Sequence, residues 1–146
     1  MNIFISYSTY DLRTVKQIAD ELAKYGNVYY WDSSKIPGQE SWPTIFQWID
    51  SADLVFVLIT GHTVHRAMSV GQEIGRAKAK DRTIVPLVSR EVPTTELGFL
   101  SGFTYEPIDV WNPKPAIDVA ARLAASQKDS IEKQRQFAVI LIAIGF

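Results

Sequence analysis

The sequence predicts an α/β fold in which helices cover both faces of a five-stranded parallel sheet. Short apolar, strand-like segments alternate along the chain with segments whose apolar residues recur at helical spacing. The run at 54–60 is apolar without alternation, which is typical of a central strand buried on both faces. Strands that alternate with crossover helices at this spacing form a doubly wound sheet with right-handed connections.

Each predicted strand is a short apolar or β-branched run, and each predicted helix follows a residue that can start it. The strands are expected at 2–6, 28–31, 54–60, 83–88 and 104–110. The helices are expected at 12–25, at 41–52, from about residue 69, and at 116–125, with a loop over 89–103. Ser8 and Ser41 are expected to cap the first two helices, and Gly26 to end the first in a left-handed conformation. Pro86 argues against uninterrupted pairing of the fourth strand.

Composition narrows the class of protein. The 146 residues, 47% of them hydrophobic, are enough to bury a core without metal or disulfide staples. A net charge of −1 gives no global attraction to nucleic acid, so no nucleic-acid partner is expected. The lack of cysteine excludes disulfides, thiolate nucleophiles and zinc sites that use sulfur. The first residues do not resemble a secretory signal, and we expect a cytoplasmic protein.

The chain is predicted to consist of a domain and a C-terminal tail of different composition. Residues 1–127 form the predicted domain, whereas 128–146 form a tail that is polar up to 136 and free of charge over 137–146. Ten apolar residues are too few to cross a bilayer, which requires about 20. Three interpretations of the tail stay open: it packs on the domain as a helix, it forms a self-association surface, or it begins a membrane segment. Membrane contact is expected only through 137–146.

The carboxyl ends of the first three strands are where a parallel sheet of this kind places its site. The loop after Ser6 contains no glycine, so neither a dinucleotide fingerprint nor a Walker-type phosphate loop can form there. A serine hydrolase is disfavoured because the sequence has no Gly-x-Ser-x-Gly elbow. His62, His65 and Glu73 could in principle ligate a metal, but loop histidines are more often solvated, and we expect no metal site.

Several motifs occur together in a characteristic order and spacing. They are FISYS at 4–8, Trp31-Asp32 followed by Ile36-Pro37-Gly38 and Trp42, VLIT at 57–60, EIGRA at 73–77 and IVPL at 84–87. Together they resemble a Toll/interleukin-1 receptor (TIR) domain of the prokaryotic type over roughly residues 1–125. The resemblance implies the flavodoxin-like fold of that family.

The resemblance also implies an activity. Enzymatic TIR domains cleave the nicotinamide glycosidic bond of NAD+ to give nicotinamide with ADP-ribose or a cyclised isomer, and in bacteria they often serve antiphage defence. By this resemblance Glu73 is the catalytic residue, NAD+ is the substrate, and no further cofactor is needed. A placed carboxylate can stabilise the positive charge that develops on the ribose. The alternatives are that Glu73 merely occupies the favourable first turns of a helix and that the protein is a non-catalytic TIR scaffold.

A substrate-binding wall and a self-association loop are implied as well. The implied substrate-binding residues are Tyr7, Ser8, Thr9, Asp32, Lys35, Ile36, Trp42 and Ser69, with Tyr7, Ser8 and Thr9 on the wall opposite the loop, and the self-association loop contains Pro37 and Gly38. Lys35 is either a phosphate ligand or a solvated charge, and Trp42 either stacks on a ring or is a helix-entry staple. Ser69 stands where many active members carry a Trp. Self-assembly is expected to complete the site, and an effector protein is a further candidate partner.

Overall fold

The computed structural model describes residues 1–32, 42–93, 95 and 103–145, and for Thr9 and 64–69 it describes the backbone alone. Within these residues there are five strands and four α-helices, and strands and helices alternate up to β4. The strands are β1 (Asn2–Ser6), β2 (Asn27–Tyr29), β3 (Leu54–Ile59), β4 (Thr83–Ser89) and β5 (Glu106–Ile108). The helices are α1 (Leu12–Leu22), α2 (Trp42–Ser51), α3 (Ala67–Ala79) and α4 (Lys114–Ala143). The 3-10 turns Thr9–Asp11 and Gly61–Arg66 lead into α1 and α3.

The strands form one parallel sheet in the order β2-β1-β3-β4-β5, which confirms the predicted flavodoxin-like, doubly wound topology. β3 is buried at every residue, as its unbroken apolar run predicts. Ser6 is in register with Val57, and Ile59 with Val88, so β1, β3 and β4 end near the same edge. The chain reverses its direction of winding between β1 and β3, which is where sheets of this order bind ligands.

Two apolar clusters lie on opposite faces of the sheet, because side chains alternate along a strand. The cluster around Phe56 joins the sheet to α1 and α4. The cluster around Phe4 joins it to α2 and α3. Tyr7 belongs to the first cluster. Ser6, two residues after Phe4, shares the face covered by α2 and α3.

The two edge strands are shorter than predicted. β2 occupies 27–29 rather than 28–31, and β5 occupies 106–108 rather than 104–110. Each has a strand neighbour on one side only, so fewer of its backbone groups are fixed by pairing. Pro86 does not interrupt β4, because it pairs with Val57 of β3 while β5 pairs with β4 only from Leu87 onward. At Pro86 the strand therefore has one neighbour, a position that proline tolerates.

The features predicted at the two ends of α1 are wrong. Ser8 makes no side-chain cap bond, and a 3-10 turn closed by the Asp11 N–H on the Ser8 carbonyl oxygen at 2.8 Å starts the helix instead. Gly26 does not have a positive φ, and α1 already ends at Leu22. Glycine is required at 26 because a Cβ there would lie 2.3 Å from the Met1 carbonyl oxygen.

The starts of α2 and α3 also differ in part from their predictions. α2 begins at Trp42, and its predicted cap, Ser41, lies outside the described residues. α3 begins at Ala67, two residues before the predicted start, and continues directly from the 3-10 turn Gly61–Arg66. The predicted loop at 89–103 lies largely outside the described residues.

The last helix departs most from its prediction. α4 runs unbroken from Lys114 to Ala143 rather than over 116–125, and so passes through the predicted boundary at 127. Its buried residues lie in the first half: Ala116, Ile117, Ala120, Ala121 and Ala124. The apolar residues after 136 are mostly exposed, so the tail does not pack on the domain in this structure. No helix among the described residues is long and apolar enough to span a membrane.

Candidate active site

A buried carboxylate lies beside a serine hydroxyl where β1 and α3 meet. Glu73 of α3 is 5% exposed, and Ser6, the last residue of β1, is 1% exposed. The Ser6 hydroxyl donates a hydrogen bond to Glu73 Oε2. Glu73 is turned inward because α3 packs on the sheet through Val70, Ile74 and Ala77. The predicted catalytic residue therefore lies at the switch point of the sheet, at its carboxyl edge.

Ser6 was not predicted as a site residue. A nearly buried carboxylate needs hydrogen-bond donors, and the Ser6 hydroxyl is one. The signal for it was present in the sequence. Side chains alternate along β1, so Ser6 must share the face of Phe4, the face that α3 covers.

Tyr7, the residue after Ser6, lies on the face of the sheet opposite α3 and Glu73. The Tyr7 ring packs there, 6.2 Å from the Tyr30 ring, and its hydroxyl donates to the Trp31 carbonyl oxygen at 2.5 Å. This bond ties the chain after β1 to the chain after β2. Ser8 is fully buried, and its hydroxyl has no hydrogen-bond partner within the described part of the chain. The side chain of Thr9 is not described.

The loop after β2 is described only at its two ends. Lys35, Ile36, Pro37 and Gly38 lie outside the described residues, and their roles stay predictions. Asp32 is half-buried where the loop begins. Trp42 opens α2 and packs against Phe46, with 5.2 Å between ring centroids. Because Trp42 is already part of α2, this is a contact between residues i and i+4 of one helix, and both predicted roles of Trp42 stay predictions.

Contacts of Phe46 and Asp50 with Arg76 form a bridge between α2 and α3. The Arg76 guanidinium lies 5.2 Å from the centre of the Phe46 ring. It also pairs with Asp50 through two hydrogen bonds, of 2.8 Å from Nε and 2.6 Å from Nη2, and thereby lowers the pKa of the Asp50 carboxyl. Arg76 follows Glu73 by three residues, so the bridge fixes the turn of α3 beside the buried carboxylate.

A second polar network joins the loops after β1 and β3. The Thr60 hydroxyl donates to Asp11 Oδ2 at 2.6 Å and accepts the His62 backbone N–H at 3.2 Å. The Thr60 N–H donates to Thr63 Oγ1 at 2.8 Å. Burial raises the pKa of the Asp11 carboxyl, and the Thr60 hydrogen bond and His62 partly offset this rise. The network holds the entrance to α1 against the turn that leads into α3.

Another serine-bound carboxylate lies after β4. The Ser89 hydroxyl donates to Glu91 Oε2, and this bond lowers the pKa of the Glu91 carboxyl. The Gly61 N–H approaches the other oxygen at 3.4 Å. Unlike Glu73, Glu91 is exposed. The two pairs therefore share their chemistry and differ in burial, which makes Glu91 a matched control for Glu73.

Of the three remaining residues singled out in the sequence, His62 is described with its side chain. His62 is exposed, with its ring 5.4 Å from the Tyr10 ring. The side chains of His65 and Ser69 are not described. Among the described residues, no three His, Asp or Glu side chains lie together as a metal site would require.

The parallel sheet and its strand order define a flavodoxin-like α/β domain with an acidic residue at the switch point. A sequence model of the TIR domain matches residues 3–133, which is most of the chain. The protein therefore belongs to the TIR-domain family, whose members commonly associate with one another. The match runs past the predicted boundary at 127 into the polar part of α4. No curated protein matches the chain.

Proposed function

We propose that this TIR domain is an NAD+-cleaving enzyme of the prokaryotic type, a glycohydrolase or an ADP-ribosyl cyclase, that becomes active when copies assemble. The observation that supports it most is the burial of Glu73 beside the Ser6 hydroxyl at the switch point of the sheet. A carboxylate shielded from water acts more strongly on a developing positive charge than one in solvent. NAD+ is a substrate in this proposal and not a resident cofactor.

The proposed reaction breaks the bond between ribose C1′ and the nicotinamide nitrogen. The bonding electron pair leaves with nicotinamide, which becomes neutral, while positive charge develops on the ribose ring. Glu73 stabilises that charge and orients the ribose hydroxyls. Water then adds to C1′ and loses a proton to give ADP-ribose, or a nitrogen of the adenine ring adds instead to give a cyclised isomer.

In this proposal, assembly depends on the loop after β2. By the resemblance, the loop with Pro37 and Gly38 closes over the nucleotide and takes part in contacts between copies. A neighbouring subunit would then complete a site that one subunit leaves open. The same resemblance suggests cytoplasmic antiphage defence or signalling as the biological role, with an effector protein as a candidate partner.

A non-catalytic TIR scaffold is the second candidate function, and one observation favours it. Glu73 is almost inaccessible and already accepts the Ser6 hydrogen bond, as a purely structural carboxylate would. The presence of Ser69, where many active members carry a Trp, favours the same reading. A scaffold would act through TIR–TIR contacts alone and would not depend on the glutamate.

Nicotinamide release from NAD+ by concentrated protein, with and without clustering on beads, tests the enzyme proposal. Glu73→Gln keeps the shape and a hydrogen-bond acceptor but removes the charge, and Glu91→Gln makes the same change in the exposed serine-bound carboxylate. We expect release by the wild type and by Glu91→Gln, and a loss of about 100-fold or more in Glu73→Gln. Chromatography of the second product separates hydrolysis from cyclisation.

The same experiment can overturn the proposal. Absence of nicotinamide release under every clustering condition, or equal release by Glu73→Gln, would exclude Glu73-dependent cleavage. Pull-down between differently tagged copies then examines the scaffold. Association that survives Glu73→Gln and is lost in Pro37→Asp would support the scaffold function.

A further inference from the structure

The second half of α4 extends beyond the domain. The last buried residue of the described helix is Ala124, yet the helix continues to Ala143. Gln127 still contacts the domain, because its side-chain amide donates to the Asp53 carbonyl oxygen at 3.3 Å. The extension therefore covers residues 128–143 and is about 24 Å long at a rise of 1.5 Å per residue. An ion pair between Asp129 and Lys133, 3.0 Å long, supports the helix there.

Polarity changes along the axis of this extension and not around it. Residues 126–136 are polar on every side apart from Ile131. Residues 137–144, here called the apolar tip, read FAVILIAI. With about 100° between successive residues, these eight side chains surround the helix without a polar gap. Five large side chains of the apolar tip have 56–75% of their surface accessible to water: Phe137, Val139, Ile140, Ile142 and Ile144.

A helix whose polarity changes along its axis is suited to insert lengthwise into an apolar layer. A coiled coil or a protein groove takes one stripe of a helix and leaves a polar side in water, but the apolar tip has no polar side. A lipid bilayer stacks a polar and an apolar layer along one direction, as α4 does. The tip is about 12 Å long, less than half of the roughly 30 Å hydrocarbon core. These eight residues therefore reach no further than one leaflet.

Charge indicates which lipid would be bound. Lys133 and Arg135 are the last two charged residues before the apolar tip, and both are exposed. Lys133 pairs with Asp129, and three basic residues against two acidic ones give 128–136 a net charge of +1. Basic side chains next to an inserted segment bind anionic headgroups. We propose that the apolar tip inserts into one leaflet of an anionic phospholipid bilayer, with Lys133 and Arg135 at the headgroups. Binding of this kind confines copies to a surface, which raises their local concentration and favours TIR–TIR contacts.

Flotation of the full chain with vesicles tests this proposal, using phosphatidylcholine with and without phosphatidylglycerol. The wild type should float with the anionic vesicles, and the double variant Ile140→Asp/Ile142→Asp should not. Trp111→Asp is the matched control, because Trp111 is a large apolar side chain of the domain that is 93% exposed. It should float like the wild type. Lys133→Gln and Arg135→Gln should each weaken binding to anionic vesicles about fivefold and leave binding to neutral vesicles unchanged.

Thermal unfolding shows that the variants are folded, and because the tip is exposed their Tm should equal that of the wild type. The proposal is overturned if the wild type floats with neither vesicle, or if Ile140→Asp/Ile142→Asp floats as well as the wild type. Loss of flotation in Trp111→Asp would assign lipid contact to the domain. Light scattering that finds tip-dependent oligomers, without flotation, would assign the tip to a second copy of the chain. Either result overturns it as well.

Discussion

Ser6→Ala removes a hydrogen-bond donor from a buried carboxylate, and we expect it to destabilise the domain. Ser6 and Glu73 are both almost completely buried, so water cannot replace the lost hydroxyl unless α3 moves away from β1. A hydrogen bond to a charged group contributes about 1.5–3 kcal/mol to the free energy of unfolding. In a domain of this size each kcal/mol shifts Tm by about 2–4 °C, so we expect a fall of roughly 3–12 °C.

Ser89→Ala is the control, because Ser89 donates to Glu91, whose exposed carboxylate can be rehydrated. Its loss should be below about 1 kcal/mol. Urea unfolding followed by circular dichroism measures both losses, and coincidence with tryptophan fluorescence checks two-state behaviour. The double variant Ser6→Ala/Glu73→Ala completes a mutant cycle in which each single variant removes the hydrogen bond, and we expect a coupling of about 1 kcal/mol or more.

Two results would refute this reasoning. If Ser6→Ala and Ser89→Ala cost the same, burial does not make the Ser6 hydrogen bond stronger than an exposed one. If the effects of Ser6→Ala and Glu73→Ala simply add, the two side chains do not stabilise each other, and the carboxylate is held by other groups.

Further predictions concern the backbone and two titrating carboxyls. Gly26→Ala should cost about 1–3 kcal/mol in urea unfolding, because its Cβ would lie 2.3 Å from the Met1 carbonyl oxygen; an unchanged midpoint would contradict this. The raised pKa of Asp11 means that the folded state binds the proton more tightly than the unfolded state. Its contribution to stability therefore falls as pH rises from the ordinary value of 3.8 through the folded pKa, and Asp11→Asn should remove that slope from Tm against pH. The lowered pKa of Glu91 has the opposite sign: its contribution grows as pH rises through the folded pKa and is complete above the ordinary value of 4.5, and Glu91→Gln should abolish it.

The fold could be predicted because its strongest signals are local. The unbroken apolar run of β3 and the helical spacing of Val15, Ile18 and Leu22 in α1 each specify one element without knowledge of the rest. The ends of the edge strands could not be predicted in this way, since they depend on which neighbour each strand has. The length of α4 is a similar case. No proline or glycine occurs between Ala124 and the end of α4, but only the packing shows that burial stops at Ala124.

The residues of the candidate site could also be predicted only in part from the sequence. Glu73 was predicted through the resemblance to a family, because one helical residue is recognisable from its motif. Tyr7 was predicted from the same resemblance to bind substrate; its ring lies on the face opposite α3, and its role stays a prediction. The alternation along β1 accounts for this placement and would also have identified Ser6. Counting alternate residues from Phe4 places Ser6 beside Glu73 and Tyr7 away from it.

Trp42 packs against residues that help to fix α3, so a substitution at Trp42 can affect activity through α3 as well as through NAD+ binding. Its ring contacts Phe46, which contacts Arg76, one helical turn from Glu73, so Trp42→Ala also loosens the bridge that fixes α3. Loss of activity in Trp42→Ala alone would therefore not show that Trp42 binds NAD+. Phe46→Leu breaks the same bridge but leaves the Trp42 ring in place. If Trp42 stacks on NAD+, Trp42→Ala raises KM well above that of Phe46→Leu. If Trp42 is only a staple, the two variants lower kcat and Tm together, with equal KM.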